Sequence, residues 1–420
     1  KADWILGINA SYAMCKATGL GNNSLGRVQT PVLAAISRRY RERENHISSD
    51  SWPIYISLQK DGILFKMRRT QDLPDKESAT MFFQDCKLAH QAQITGISHS
   101  VKEILPPDLL DLTQLQKEAN IRYGFTASEV YDIAQSLYEK KLISYPRTSS
   151  RYLTEDVFDS LPPIMACLLS WELFPAAKGT GGIDISNLSR HVISAEKANV
   201  HHAIIITGIR PGNLSEKEMQ VYRLVAGRML ETFMAPCRIE TTNVEAVCAA
   251  QHFKAEQTRI IEAGWHDVFM RYDMIPTSGY SVKELPEVEK GDTLNVCGCN
   301  MVHKKELPVD PFTDAELVEY MELNGLGTVS SRTNIIRTLV NRKYIRYSGK
   351  YIVPTPKGMF TYETIRGKKI ADTSLTADWE KQLAGLESGM ITGQDFLNRI
   401  RTLAKEMTDD IFNTYSTKEE

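Results

Sequence analysis

The spacing of apolar residues changes several times along the chain, and each change predicts a different kind of element. Residues 4–18 and 27–44 place apolar side chains at helical intervals. From Trp52 onward, apolar and polar residues alternate around a Lys-Asp-Gly turn, which is typical of a β-hairpin. The segment from Arg238 to Val302 is again β-like, and the chain becomes helical and basic after residues 308–316. The predicted order is therefore helical, β, helical, β, helical.

This order indicates nesting, in which the chain leaves one domain, builds others and returns to the first. A chain of 420 residues is also too long for one compact core. We therefore predict a multidomain α+β protein in three parts. A helical domain comprises residues 1–47 and 306–420, a β-rich domain comprises residues 48–110 and 236–305, and a third domain comprises residues 111–235.

A repeated unit links the middle helical block with the C-terminal one. Residues 126–145 (TASEVYDIAQSLYEKKLISY) align without gaps to residues 328–347 (TVSSRTNIIRTLVNRKYIRY), with seven of twenty positions identical. Thr126 and Glu129 form a capping-box pattern at the start of the first copy. Each copy predicts a helix followed by a strand, with basic residues at the helix end, as in winged-helix modules that bind nucleic acid. The alternative is that any capped amphipathic helix followed by a strand gives this pattern.

Composition limits the classes of function. With 42% apolar and 24% charged residues, the chain is typical of a soluble globular protein. No apolar run is long enough to cross a bilayer and no signal peptide opens the sequence, so we expect a cytoplasmic protein without a membrane partner. The seven cysteines are odd in number and mostly scattered, which favours reduced thiols. Cys297 and Cys299 lack a second pair that would complete four zinc ligands, so no metal site is expected here.

The formal net charge of −2 hides a strong asymmetry. The forty residues between Glu322 and Glu363 contain no Asp or Glu. They contain seven bases, namely Arg332, Arg337, Arg342, Lys343, Arg346, Lys350 and Lys357. Although a charge run is often only a solvated surface, the lack of acids over several elements favours an anionic partner.

The segment KKLISYPRTSS, residues 140–150, contains the most distinctive candidate chemistry. If this segment is a strand, Tyr145 and Arg147 point to one face and Ser144 to the other. Pro146 cannot donate to a sheet ladder, which predicts an edge strand or a strand end that a ligand can reach. A tyrosine is a poor nucleophile at its ordinary pKa of about 10, but a guanidinium beside it favours the phenolate and binds a phosphate. This pairing suits attack on a phosphodiester, although most strand tyrosines serve only in packing.

Six motifs spread over nearly the whole chain occur in the order found in type IA DNA topoisomerases, and the chain resembles the bacterial topoisomerase III members. The motifs are LGRVQTPVLAAI (25–36), LISYPRTSSRYL (142–153), HHAIIITG (201–208), LSEKEMQVYRLVAGRML (214–230), GLGTVSSRTNIIRTLVNRKYI (325–345) and LTADWEKQLAGLESG (375–389). The resemblance implies that the helical domain is the family's base, the β-rich domain its arch, and the third domain the winged-helix-like unit with the tyrosine.

The resemblance also implies roles for individual residues. Tyr145 would attack a single-stranded phosphodiester, forming a 5′-phosphotyrosine and freeing a 3′-hydroxyl, and resealing would need no ATP. Arg147 matches the family's active-site arginine, which binds the scissile phosphate. His201 matches a histidine of the active site, and Arg27 and Gln29 match residues that contact DNA near the cleavage site.

A second group of matching residues opens a helix in the C-terminal part. Thr328, Ser331 and Arg332 match the family's strand-binding segment, and the free amides at a helix start suit a phosphate. The implied partner is single-stranded DNA, bound mainly through its backbone and by base stacking, and the implied state is a monomer.

Several positions depart from the family pattern. The sequence has RTSS where an Asp often follows the Arg-Thr pair, GLGTVSSR where GLGTPATR is common, and IIIT for IIPT. The family's Mg²⁺ is held by an acidic Asp-x-Asp cluster of an N-terminal Toprim domain, and no Asp-x-Asp occurs in this sequence. Residues 1–4 resemble the segment that follows Toprim. We therefore expect a body without Toprim that contains no cofactor of its own, binds single-stranded DNA and cleaves it poorly.

Two alternatives come from other classes. A non-enzymatic winged-helix DNA-binding protein would explain the repeat and the basic stretch, but not the position of Tyr145 and Arg147 among the other motifs. A tyrosine recombinase or a relaxase would also form a phosphotyrosine. The first needs an Arg and His cluster around a helical tyrosine and the second a histidine triad, whereas His201 and His202 have no third histidine nearby in the sequence.

Overall fold

The computed structural model describes residues 1–19, 21, 23–171, 173–174, 183–198, 201–270 and 281–416. The helices there are α1 (Ala2–Thr18), α2 (Gln29–Glu44), α3 (Lys76–Leu88), α4 (Leu112–Tyr123), α5 (Ala127–Glu139), α6 (Glu155–Asp159), α7 (Leu161–Ser170), α8 (Glu216–Phe233), α9 (Asp314–Leu323), α10 (Val329–Asn341), α11 (Pro356–Ile365), α12 (Ser374–Glu387) and α13 (Gly393–Ser416). The strands are β1 (Asp50–Ser51), β2 (Ile54–Lys60), β3 (Ile63–Arg69), β4 (Gln91–Ile104), β5 (Cys237–Cys248), β6 (Gln251–Glu262), β7 (Thr293–Met301), β8 (Lys304–Lys305), β9 (Phe312–Thr313), β10 (Ile345–Ser348) and β11 (Tyr351–Pro354).

Six antiparallel strands close into a barrel in the order β2-β3-β6-β5-β4-β7. The predicted hairpin is β2–β3, in which Asp61 and Gly62 have φ values of 53° and 82° and so supply the positive φ that a tight two-residue hairpin turn requires. Alternate residues of β2 are buried, and they form one core with residues of the other strands and of α3. The short pair β1–β8 lies where the chain enters and leaves the barrel.

Three further cores lie outside the barrel. One buries parts of α4, α5, α7 and α8 together with residues 203–206. A second joins α2, α9 and α10 to the sheet β10-β11-β9, and a third joins α1 to α12 and α13. Leu109 and Leu110, which we assigned to the β-rich domain, belong to the core of α4, α5 and α8. The chain therefore enters this unit earlier than we predicted.

Polar contacts join the unit of α4 and α5 to helices α9 and α10. Gln116 donates to Thr333 Oγ1 (2.9 Å), and Lys117 pairs with Glu319 (2.5 Å). The backbone N–H of Ala127, the first residue of α5, donates to the Asp314 carboxylate (3.1 Å). The interface is therefore held by specific hydrogen bonds and ion pairs in addition to apolar packing.

The two copies of the repeat share their backbone conformation up to the end of the helix. Lys141 and Lys343, which occupy equivalent positions, both have a φ of 59°, and each follows a helix whose last turn makes the same backbone hydrogen bonds. The copies then diverge. Ile345 enters the hairpin β10–β11, whereas Ile143 forms only a single bridge to Ile206.

The strand predicted around Tyr145 is thus wrong. Pro146 has no N–H to donate, and the side chain of Ser144 takes the place of a ladder partner by accepting from Ile205 N (3.0 Å). The winged-helix interpretation of the unit stays a prediction.

Candidate active site

The segment that carries Tyr145 is held against residues 201–206 by hydrogen bonds on both sides of the tyrosine. Ser144 N donates to Ile205 O (2.8 Å) and Ser144 Oγ to Ala203 O (3.1 Å). Three residues beyond Tyr145, Thr148 Oγ1 donates to His201 O (2.9 Å). These bonds fix the path of the backbone, so the side chain of Tyr145 is presented from a rigid loop.

Tyr145 is half-buried and lies among aromatic and cationic side chains. Its ring centroid is 4.5 Å from that of the exposed His201 and 5.4 Å from that of Tyr138, which meets it edge-on. The guanidinium carbon of Arg147 lies 5.0 Å from the centre of the Tyr145 ring. The structure therefore confirms that Tyr145 and Arg147 share one side of the segment, and it brings His201 to the same place.

Arg147 has hydrogen-bonding capacity that this conformation leaves unused. Its Nη1 donates to Tyr131 Oη (3.3 Å), whereas its Nε is buried and has no hydrogen-bond partner among the described residues. No acidic side chain of the described ranges forms an ion pair with it. A guanidinium with donors to spare, held beside a phenol, is the arrangement that a phosphate group would complete.

The second copy of the repeat shows what a structural tyrosine looks like at the equivalent position. Tyr347 is half-buried, as Tyr145 is, but its hydroxyl donates to Asp314 Oδ1 (3.1 Å). Burial and the adjacent carboxylate raise the pKa of Tyr347 above its ordinary value. The hydroxyl of Tyr145, in contrast, has no hydrogen bond to a described residue. Tyr145 and Tyr347 therefore differ in the surroundings of their hydroxyls, and the sequences that follow the two tyrosines differ as well.

Arg27 and Gln29 lie at the start of α2, in different surroundings from each other. Arg27 pairs with Asp3 (2.8 Å) and Glu380 (2.7 Å) and lies over the ring of Trp379 (4.8 Å). Its charge is therefore compensated within the base. Gln29 donates to Ser24 O (3.2 Å) and accepts from Arg342, which connects it to the basic stretch.

Thr328 and Ser331 form a capping arrangement at the start of α10. The backbone N–H of Thr328 donates to Ser331 Oγ (2.8 Å), and both side chains are exposed or partly exposed. Arg332 is different, because its guanidinium is buried and donates to Thr113 Oγ1 (3.0 Å) and Glu322 Oε1 (3.3 Å). In this conformation Arg332 joins two units of the protein and does not offer its charge to a phosphate.

Two basic residues that we did not assign to the site form a group with Gln29. Arg342 Nη1 donates to Ser24 Oγ (2.6 Å) and Gln29 Oε1 (2.9 Å), and Lys357 Nζ donates to Arg342 O (3.0 Å). Partial burial, together with the positive charge of Arg342, lowers the pKa of Lys357. Ser24, Arg342 and Lys357 line a cavity of about 460 Å³ whose lining includes no acidic residue. The absence of acidic residues between Glu322 and Glu363 was the signal in the sequence that could have identified Arg342 and Lys357.

The predicted residues therefore fall into three groups. Tyr145, Arg147 and His201 form the first, Gln29 with Arg342 and Lys357 the second, and Thr328 with Ser331 the third. No hydrogen bond between described residues connects the first group directly to the other two. Within the described ranges, no helix is long and apolar enough to span a membrane, and no three His, Cys, Asp or Glu side chains are placed to hold a metal ion.

Comparison with known proteins gives one consistent family. A family model described as DNA topoisomerase matches residues 1–398. A DNA topoisomerase 3 from Bacillus licheniformis is 30% identical over an alignment of 436 residues that covers 98% of this chain and 59% of the relative. A DNA topoisomerase 1 from Methanocaldococcus jannaschii is 31% identical over 426 residues, which cover 100% of this chain and 54% of that protein.

A solved structure has the same fold as this chain. Full-length topoisomerase I from Thermotoga maritima matches with a TM-score of 0.73 and 23% identity, over 98% of this chain and 66% of that one. At this identity the match shows the fold alone. This chain spans less than two thirds of the length of the curated relatives. The family model nevertheless covers nearly the whole sequence, and with the ordered motifs it shows that the chain belongs to the type IA DNA topoisomerase family.

Proposed function

We propose that this chain is the strand-cleaving body of a DNA topoisomerase, which breaks one DNA strand through Tyr145, passes a strand and reseals the break. The observation that carries the proposal is the grouping of Tyr145 and Arg147 with His201 of the adjoining segment, where a guanidinium nitrogen lacks a partner among the described residues. The family assignment supports the same reaction. The activity of a complete enzyme is part of the proposal, because the chain spans only 59% of a relative such as the Bacillus licheniformis protein.

The reaction is a transesterification. The phenolic oxygen of Tyr145 forms a bond to phosphorus and loses its proton, while the bond from phosphorus to the 3′ oxygen breaks and that oxygen gains a proton. The 5′ end of the broken strand is then joined to Tyr145. Attack of the 3′-hydroxyl on this phosphotyrosine reverses the step, so the bond energy is retained and no nucleotide is consumed.

Arg147 stabilises the phosphate during this reaction. Its unpaired Nε and its Nη atoms can donate to the non-bridging oxygens, whose charge must be balanced as the phenolic oxygen approaches. His201 lies against the ring of Tyr145 at the exposed side, where it can hydrogen-bond a phosphate oxygen and restrict the orientation of the ring. Arg147 acts by its charge and by positioning the phosphate, and His201 acts by positioning.

The second and third groups provide a path for the strand. Arg342 and Lys357 place positive charge beside Ser24 and Gln29 without a neighbouring acid in the lining, and the start of α10, where Thr328 is exposed, suits another phosphate. These contacts recognise backbone and not base sequence, which favours single-stranded DNA of any sequence. We propose a monomer as the binding unit.

The resemblance places the family's Mg²⁺ on Toprim residues outside these 420 residues, where it would neutralise phosphate charge. The described residues do not supply a substitute set of ligands. The steps above therefore involve only side chains of this chain. We expect the chain by itself to bind a single strand and to cleave it poorly.

The test uses a single-stranded oligonucleotide labelled at its 3′ end, with Mg²⁺, followed by native and denaturing gels. For this chain alone we expect a native shift and no label on the denatured protein. For the chain fused to the Toprim domain of a DNA topoisomerase 3 relative, we expect label on the denatured protein that disappears in Tyr145→Phe. Arg147→Lys should retain binding and lower the yield of the covalent product.

The controls separate the classes of function. Tyr138→Phe changes a tyrosine that touches the same ring and should leave the covalent product intact. A fused protein that binds DNA, forms no covalent product and is indifferent to Tyr145→Phe would support the non-enzymatic DNA-binding alternative. A 3′ adduct would carry the upstream fragment, so label that reaches the denatured protein only from an oligonucleotide labelled at its 5′ end would instead indicate the chemistry of a tyrosine recombinase.

A further inference from the structure

Three cysteine thiols that are distant in sequence meet in the barrel. Cys86 lies near the end of α3, Cys248 at the end of β5, and Cys299 on β7. Cys86 and Cys248 are almost completely buried in the barrel core, and Cys299 packs against this core while remaining partly exposed. The site described above uses none of these residues.

A β-bulge brings Cys299 into this group. In the pairing of β7 with β2, Gly298 lies opposite Ser57 but Val296 lies opposite Leu58, so Cys297 is an extra residue. Strict alternation from Leu294 and Val296 would turn Cys299 away from the core. The bulge shifts the alternation by one residue, exposes Cys297 and turns Cys299 toward α3.

Geometry places Cys299 beside α3, because its Sγ lies 3.9 Å from the carbonyl oxygen of Phe83, one turn before Cys86, and Cys86 and Cys248 belong to the core against which Cys299 packs. The neighbouring Cys86 thiol lowers the pKa of Cys299 in spite of its partial burial. The Cys248 thiol acts to lower the pKa of Cys86, but the Cys299 thiol, together with burial, raises it to about 11. The thiol that most readily ionises is thus also the one that solvent reaches.

We propose that Cys86 and Cys299 form a peroxide-sensitive dithiol that closes to a disulfide between α3 and β7. The Cys299 thiolate attacks one oxygen of hydrogen peroxide, the O–O bond breaks, and the released hydroxide takes a proton to become water. The sulfur of Cys86 then attacks the sulfenic sulfur of Cys299 and the S–O bond breaks. The proton of Cys86 leaves with the hydroxide as a second water, so two thiols supply the two electrons that reduce the peroxide.

The arrangement distinguishes this pair from the other cysteines. Cys297 and Cys167 are more exposed, but neither touches another thiol of the described residues, so their oxidation would not lead to an internal disulfide. Cys248 is buried behind Cys86, which leaves Cys299 as the entry point for the oxidant. The inference is independent of DNA cleavage, because it concerns only the barrel.

The test treats the reduced full chain with a small excess of hydrogen peroxide, alkylates the remaining thiols in denaturant, and measures intact mass and tryptic peptides. Of the seven thiols, five should be alkylated and two protected. The peptides of Cys86 and Cys299 should be joined, with a loss of two hydrogen atoms that a reductant reverses. Cys297→Ser is the matched control on the same strand and should give the same link.

A second variant keeps the inference testable if one substitution disturbs the barrel. In Cys86→Ser, Cys299 should remain as a sulfenic acid that dimedone captures, and in Cys299→Ser no disulfide should form at the same peroxide dose. Folding of each variant is checked by circular dichroism. The proposal is overturned if all seven thiols remain alkylatable, if the link joins Cys86 to Cys248 with Cys299 reduced, or if Zn²⁺ at micromolar concentration protects all three thiols as a metal site.

Discussion

Asp314 is the side chain whose charge state most directly affects the contact between the tyrosine unit and the base. It begins α9, is almost fully buried, and accepts from Ala127 N (3.1 Å) at the start of α5 and from the hydroxyl of Tyr347 (3.1 Å). Burial raises the pKa of Asp314 from 3.8 to about 6 against the effect of these two hydrogen bonds, and the negative charge of Glu129 adds to the rise. Glu129 itself is paired with Lys217.

The shift predicts how stability depends on pH. Because the folded protein holds the proton of Asp314 more tightly than the unfolded chain does, ionisation costs stability. The cost is absent below the unfolded pKa of 3.8 and fully present above the folded pKa of about 6. A shift of about two pKa units corresponds to about 3 kcal/mol.

Asp314→Asn keeps an oxygen that can accept both hydrogen bonds and removes the ionisation. We expect the variant to match the wild type near pH 4 and to be more stable by up to about 3 kcal/mol near pH 7. Urea unfolding followed by tryptophan fluorescence at several pH values gives the difference in unfolding free energy between the two proteins. Subtracting one curve of unfolding free energy against pH from the other cancels the contribution of the groups that titrate in both proteins.

Asp409→Asn, an exposed aspartate on α13, is the matched control and should follow the wild type throughout. A difference between Asp314→Asn and wild type that is constant with pH would refute the reasoning. A difference in unfolding free energy that grows as the pH falls would also refute the reasoning, because the hydrogen-bond partners of the carboxylate would then stabilise its charge by more than burial destabilises it.

Three further predictions concern stability. Gly358→Ala should lower the unfolding free energy by about 1–3 kcal/mol or more in a denaturant titration, because a Cβ there would lie 2.0 Å from the carbonyl oxygen of Tyr344. Gly212 has open space around the position of a Cβ, so Gly212→Ala should leave the unfolding free energy nearly unchanged. Tyr145→Phe should unfold within about 0.5 kcal/mol of the wild type, since no described residue hydrogen-bonds its hydroxyl, and a larger loss would show a structural role. Ser215→Ala removes a capping box at the start of α8 and should cost about 1 kcal/mol in the same titration, with no change expected in DNA binding.

Features that depend on neighbours in sequence could be predicted well. The Asp-Gly turn of the first hairpin and the capping box of Thr126 both appear in the structure as the sequence indicated. The two copies of the repeat also share a backbone conformation, because Lys141 and Lys343 are both left-handed. These features rest on hydrogen bonds and backbone preferences within a few residues, which the local sequence specifies.

The candidate site could be predicted only in part. The motif around Tyr145 and the motif HHAIIITG together identified three side chains that the structure places close to one another, Tyr145, Arg147 and His201. The assignment of Arg332 to a strand-binding segment did not anticipate its partners Thr113 and Glu322. The sequence shows that a residue is charged, but whether that charge is available depends on which distant side chain neutralises it.

What the sequence by itself determined is the family, the order of helical and β-rich blocks, and the residue types available for chemistry. The tertiary structure decided which of them act together. Closure of the barrel pairs β3 with β6, and a bulge in β7 turns Cys299 toward Cys86. It also decided that the hydroxyl of Tyr347 donates to Asp314 while the hydroxyl of Tyr145 has no hydrogen bond to a described residue. The reason is physical: strand register, desolvation and charge compensation depend on contacts between residues that are far apart in the sequence.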